Sequence, residues 1–440
     1  DHSGLAYFER SFMKKQCVEL IEHQSEEILK LSRQLFETAE LGFKEYKTKE
    51  LIQNYLKKEG FTVEKEYFET GFQVSIGSGK PHIALICELD AIPTQGHRCA
   101  NPNDHAAHSC GHSTQVGIQL NVITALKKLN VMEQGGKITL FFTPAEEFCD
   151  LAYRKELQKA GKIKTLSGKT NMLLAGCFDD VDVCIHMHGM GEYRGYKFSV
   201  NSALAGFLYK EFNFIGKASH AAVCPDQGVN ALNAFALFQS AVGMLRETFV
   251  DEDKNRVHGM ITKGGDTVNS IPSHVVYEGY VRSFNAQKLQ TISEQLTHTA
   301  KHCAQALNAE CVVHDMPGYL PFHQNEDLSK VIYKNMLEFT TADQILTDEK
   351  SVAAGDIGDL GCFVPTIQFG YTGFKGTMHG KDLEVMNDNE VYIEPAKIIA
   401  MSVIDLLQDP TLIETITSNF KPEMTMEEYK QYVGVTSESI

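Results

Sequence analysis

The sequence predicts an α/β fold of two or three layers, into which a smaller α+β unit is inserted. Three observations carry that reading. The run HIALICELDAIP, ending at Pro93, is nearly all apolar without polar alternation, the pattern of a central strand covered on both faces. Similar runs recur at Lys137 to Thr143 and at Val183 to Met187, with helical stretches between, and strands alternating with helices make an α/β domain. From Ser202 to Val313 the pattern changes: LYKEFNFIG and VVYEGYVRSF alternate as half-buried strands do.

The elements follow in order. Ile21, Ile28, Leu29, Leu31 and Leu35 recur at helical spacing, Leu51, Ile52 and Leu56 form a second stripe, and Gly42 and Gly60 punctuate the two helices. Short strands are expected at Phe61 to Val63 and Phe72 to Ile76. A Gly/His/Asn/Pro-rich loop from Thr94 to Ser109 leads to a helix from His112 to Leu129, with Val116, Leu120, Val122, Ile123 and Leu126 facing inward. In the inserted unit, helices at Gly228 to Thr248 and Gln287 to Leu307 and a closing strand at Glu310 to His314 complete a strand-helix-strand-strand-helix-strand order. After Pro321 come helices, the strand VPTIQFG and a last helix from Glu394 to Leu407. A chain of 440 residues is too long for one compact core. The expected division is residues 1–201 and 317–440 for the larger domain, with 202–316 inserted.

Bulk properties exclude several partners. A formal charge of -16 opposes nucleic acid and anionic membrane surfaces. No apolar run approaches the roughly 20 residues that span a bilayer, and no signal-like apolar core follows Lys14 and Lys15. The 11 cysteines are scattered, odd in number and without a CxxC pair, unlike a secreted disulfide framework. A cytoplasmic protein acting on a small molecule is expected.

Four separated segments bring metal-ligand residue types to positions where α/β sheets form sites, beyond the carboxyl ends of strands. They are His108-Ser109-Cys110-Gly111-His112, Pro144-Ala145-Glu146-Glu147, His186-Met187-His188 and Met378-His379-Gly380. Each alone is a weak signal. A loop histidine is more often solvated, a Glu-Glu pair is usually surface charge, and one cysteine among 11 normally packs in a core. Glu146-Glu147, however, follows an apolar strand directly, where a surface pair would not sit. Two divalent ions ~3.5–4 Å apart need about five or six N, O and S ligands with one bridging group. Cys110 as a thiolate suits the bridge, with His112, Glu147, His188 and His379 completing the set. Glu146, beside a ligand, is suited to take a proton from an activated water and pass it to a leaving amine. Asp90, at its strand end, is suited to receive the other ring N–H of a ligand histidine.

At these residues the sequence resembles the amidohydrolase family that includes aminoacylases, hippurate hydrolase, indole-acetyl-amino-acid hydrolases and aminobenzoyl-glutamate hydrolase, part of a larger group of two-metal exopeptidases. The resemblance runs from about Leu31 to Leu407, through Glu40-Leu41-Gly42-Phe43 with Glu45, Leu89-Asp90-Ala91-Ile92-Pro93, Cys110-Gly111-His112, Pro144-Ala145-Glu146-Glu147, His188 and His379. It implies that Cys110, His112, Glu147, His188 and His379 are metal ligands and Glu146 the general base. It further implies a catalytic domain with an inserted lid and dimerisation domain. In that lid, His220 of Gly216-Lys217-Ala218-Ser219-His220-Ala221 would reach a neighbouring subunit's active site and stabilise the tetrahedral oxyanion. Asn269 and Arg282 would hold a substrate carboxylate, a task the Arg fork suits.

Three features depart from the family's pattern. Ser113 replaces the usual Asp after Cys-Gly-His, His186 competes with the preferred His188, and Phe148 to Lys169 is long and charged where a short turn is usual. The expected activity is metal-dependent cleavage of the amide bond of a small N-acyl or N-aryl amino acid with a free carboxylate. Manganese or zinc is expected, with cobalt and nickel also suiting the donor set, and a homodimer through the lid. A metallo-dipeptidase or carboxypeptidase-type exopeptidase, a hydrolytic arylamine deaminase and a non-catalytic binding protein are the alternatives.

Overall fold

The computed structural model describes residues 2–193 and 195–435. The chain forms two compact units: Asp1–Ser202 with His323–Glu349 and Asp359–Met426, and Ala203–Phe322 with Lys350–Gly358 and Glu427–Ile440. The first opens with helices α1 (His2–His23), α2 (Ser25–Glu37) and α3 (Tyr46–Lys58). Strands β1 (Lys65–Tyr67), β2 (Gly71–Ser78) and β3 (His82–Glu88) precede α4 (His112–Lys128) and β4 (Gly136–Thr143). Helices α5 (Leu151–Lys159) and α6 (Gly168–Leu174) lead to β5 (Val183–Gly189) and β6 (Phe198–Val200). The second unit runs through β7 (Gly206–Ile215), α7 (Ala231–Arg246), β8 (Arg256–Lys263), β9 (His274–Ser283), α8 (Ala286–Ala306) and β10 (Glu310–Pro317). The first unit resumes with α9 (Glu326–Met336), β11 (Ile345–Thr347), β12 (Thr366–Tyr371) and α10 (Glu394–Gln408).

The first unit is built on an eight-stranded mixed sheet in the order β1-β2-β4-β3-β5-β12-β6-β11. Its centre is parallel: β3 pairs with β4 and β5, and β5 with β12. Every residue of β3 is buried. Because successive side chains point to opposite faces, this strand is covered on both, as its unbroken apolar run predicts. Helix α4 is buried from His112 to Leu126 and packs on β3 and β5 and against α2 and α10. Several of its polar residues survive burial because they are paired. Thr114 Oγ1 meets Tyr371 Oη at 2.6 Å, Gln119 Nε2 donates to Ile86 O at 3.1 Å, and Asn121 accepts from Gln24.

The second unit is the predicted α+β arrangement, a four-stranded antiparallel sheet in the order β8-β9-β7-β10, with α7 and α8 packed on it. Phe212, Phe214, Phe235, Phe238, Tyr277 and Leu296 lie in its core. One expectation fails. Phe61 to Val63 is not a strand, because the Phe61 N–H is committed to Leu56 O in closing α3, and pairing begins only at Lys65.

Candidate metal centre

The site gathers at the carboxyl ends of the central strands of the first unit. Asp90 lies two residues beyond β3, Glu146 and Glu147 three and four beyond β4, and His188 near the end of β5. Cys110 precedes α4, and Gly111 between Cys110 and His112 has φ 76°, a left-handed turn that glycine takes without a Cβ penalty. Ala145 (φ 50°) and His379 (φ 63°) at the site are non-glycine residues that share that region. Such backbone costs of order 1–3 kcal/mol and persists where surroundings hold it. Ala145 is held because its N–H donates to Glu45 Oε1 at 2.9 Å, and His379 because its N–H donates to Ser109 O at 2.7 Å.

The four segments converge. His379 Nε2 lies 3.2 Å from Cys110 Sγ and 3.4 Å from Glu147 Oε1. His188 Nε2 lies 3.6 Å from the same sulfur. His112 Nε2 is 3.9 Å from Glu147 Oε1 and 3.7 Å from Glu146 Oε2. Two overlapping clusters therefore share the thiol, Cys110-His112-His188 and Cys110-Glu147-His379, each with its donor atoms within 4.8 Å of one another. Asp90 is fully buried. Its Oδ1 lies 3.1 Å from His112 Nδ1 and its Oδ2 accepts the Glu147 N–H at 2.8 Å. That contact turns His112 Nε2 toward the cluster, and the Nδ1 contact of His188 with Gly189 O at 2.8 Å does the same for its ring.

Electrostatics distinguish the groups. Burial would raise the Glu147 carboxyl, but the His379 hydrogen bond and the nearby His112 and His379 charges hold it down to about 2. Burial pushes the His188 imidazole down to about 4, so its ring stays neutral, the form that binds metals. Burial, with Glu147 alongside, pushes the Cys110 thiol well above its usual range, so a thiolate here calls for a cation. One buried atom at the centre, His112 Nε2, has no hydrogen-bond partner, which costs about 1–3 kcal/mol in the absence of another ligand. An orphaned donor beside a soft sulfur, imidazoles and a carboxylate fits a pair of divalent transition ions.

His186 and His188 separate cleanly. His186 is buried, with Nδ1 3.2 Å from Ile86 O and Nε2 3.2 Å from Glu88 Oε1, while His188 meets Cys110. Ser113 is buried with an unpartnered Oγ. The charged stretch from Phe148 contains α5 and part of α6. Sequence reasoning missed two residues here, Glu88 and Lys169, which form a fully buried ion pair at 2.5 Å. A signal existed: Glu88 is the only acidic residue of strand β3, and buried acids are rarely unpaired.

The remaining site candidates lie in the second unit. His220 Nε2 is 3.2 Å from Asn269 Nδ2, and Ala221 N–H donates to Asn269 O at 3.1 Å. Arg282 is held elsewhere, donating from Nε to His258 Nε2 at 3.1 Å, with its guanidinium over Tyr280 and Phe207.

Comparison with known proteins extends these observations. Peptidase family M20/M25/M40 matches residues 84–400. The chain is 26% identical to the Xaa-Arg dipeptidase of Mus musculus, over 96% of this chain and 95% of that protein. It is 26% identical to the N-acetyl-L-cysteine deacetylase of Bacillus subtilis, over 70% of this chain and 71% of that protein. A Bacillus subtilis structure, described as a dinuclear metal-binding peptidase of the M20 family, superposes with a TM-score of 0.68 at 18% identity, covering 88% of this chain and 99% of that one.

Proposed function

The chain belongs to peptidase family M20/M25/M40 and is a metal-dependent amide hydrolase; within that class we propose that it cleaves small N-acyl or N-aryl amino acids carrying a free carboxylate. The convergence of Cys110, His112, Glu147, His188 and His379, with Glu146 beside them, carries the reading. Those five residues would hold two divalent ions, manganese or zinc first, with cobalt and nickel also suited to the donors. When bound, the ions supply Lewis acidity and lower the pKa of water towards ~7.

The chain's own residues do the rest. Glu146 takes the proton of the attacking water and returns it to the leaving amine. Asp90 fixes the ring of His112 and the backbone of Glu147. His220 donates to the developing oxyanion, from a neighbouring copy of the chain, and Asn269 and Arg282 select the substrate carboxylate. The His220–Asn269 contact supports treating these two as one device. The full-length similarity to an Xaa-Arg dipeptidase favours a second reading, in which the acyl group is itself an amino acid. We further propose a cytoplasmic location, supported by cysteines that are all free among the described residues.

A panel of acyl-amino acids, aryl amides and dipeptides, assayed with added Mn2+ or Zn2+, separates the substrate readings. E146Q is expected to keep its metal content and lose about 10²–10⁴-fold in kcat. Activity of E146Q near the wild-type level removes the assignment of Glu146 as base.

A further inference from the structure

A further acidic group faces the candidate metal centre from within the sheet. Glu88 ends β3, is 2% exposed, and sends its two oxygens in different directions. Oε1 accepts from Lys169 Nζ at 2.5 Å and lies 3.2 Å from His186 Nε2. Oε2 accepts from Gln115 Nε2 at 2.9 Å and sits 3.0 Å from His112 Nε2. Lys169, His186, Gln115 and His112 are all buried. Enclosing a carboxylate and an ammonium together carries a desolvation cost that only good geometry repays, so a pair placed here calls for a reason.

The geometry at Oε2 supplies one. That oxygen is within 3.0 Å of His112 Nε2, yet Nε2 has no hydrogen-bond partner. The two atoms are close without the alignment a hydrogen bond requires. Glu146 Oε2 approaches the same nitrogen at 3.7 Å, and donor atoms of Glu88, His112 and Glu146 all lie within 4.8 Å of one another. Donor atoms of three side chains converging on one point describe the surroundings of a cation.

Resting on the two-ion reading above, we infer that Glu88 is a further metal-binding residue, supplying a carboxylate oxygen on the His112 side. Lys169, His186 and Gln115 are its positioning residues. Lys169 and His186 occupy Oε1, which leaves Oε2 as the oxygen that can face the ion. Lys169 also offsets one negative charge in a centre already holding Glu146, Glu147, Asp90 and the Cys110 sulfur. Lys169 thereby sets how strongly the centre attracts a divalent cation.

The test is calorimetric titration of the chelator-stripped full chain with Mn2+, alongside circular dichroism. E88Q keeps the shape of the side chain and removes its charge. It is expected to stay folded and to bind at least one Mn2+ about tenfold or more weakly than wild type. A folded E88Q that binds Mn2+ as wild type does overturns the inference. If E88Q misfolds because the buried Lys169 charge has lost the Glu88 carboxylate, E88Q/K169M removes both buried charges and is held to the same two outcomes. Misfolding of both variants makes the pair structural and also overturns it. A wild-type chain that takes up no Mn2+ defeats the two-ion reading instead, so the two failures are distinguishable.

Discussion

Asp90 makes two contacts that serve different neighbours, one carboxylate oxygen against the His112 ring and the other on the Glu147 backbone. Replacing it with Asn keeps the volume but presents an amide N–H to one of those partners. D90N is therefore expected to lower Mn2+ affinity about 10–100-fold while leaving the fold intact. Titration with Mn2+ checks this, and unchanged affinity would show that His112 needs no such support. Asp90, Cys110, His112, Glu146, Glu147, His188 and His379 were legible from sequence because each stands in a short motif beside a strand end. Glu88 and Lys169 were not, since the contact that gives them meaning joins residues 81 apart and no local pattern records it. His186 and His188 were separable only by direction. Two apart on one strand, they share a face, yet one ends on Glu88 and the other on Cys110.

Among the elements, the turn after β4 is the most constrained. Its left-handed Ala145 is anchored by Glu45 at the start of α3, whose carboxylate also accepts from Thr70 Oγ1. Burial, with the Asp90 charge nearby, raises the Glu45 carboxyl to about 8, against about 4.5 in the unfolded chain. The sign follows from linkage: the unfolded state loses its proton first, so this group's contribution is complete below about 4.5 and is lost as pH rises through about 8. E45Q cannot ionise and is expected to gain on wild type in urea midpoint between about pH 5 and 8. Parallel pH profiles for the two proteins would contradict this. The apolar runs of β3, β4 and β5 were plain in the sequence because burial on both faces removes polar residues. The failed strand at Phe61 shows the converse, where apolar character was right but the N–H was already taken by a helix end.

At the scale of the whole molecule, the change from continuous to alternating apolar pattern announced the second unit and its α+β character. Nothing in sequence period reveals what meets its outer surfaces. Strand β8 is an edge strand, exposed along nearly all its length, with Met260 65% and Ile261 41% exposed. Unprotected edges of this kind invite pairing with another chain, which supports the proposed homodimer. Light scattering at assay concentration is expected to give twice the 49.1 kDa chain mass, and a fully active monomer would remove His220 from the neighbouring copy's chemistry.

Separate segments of this chain would together hold a pair of cations, and counting those cations is the most direct test. Elemental analysis of the full chain, loaded with Mn2+ and dialysed, is expected to find about two ions per chain, and fewer in C110A, which lacks the sulfur common to the two candidate ligand clusters. A wild-type chain that retains no metal, or a C110A chain that retains both ions as firmly as wild type, would contradict it.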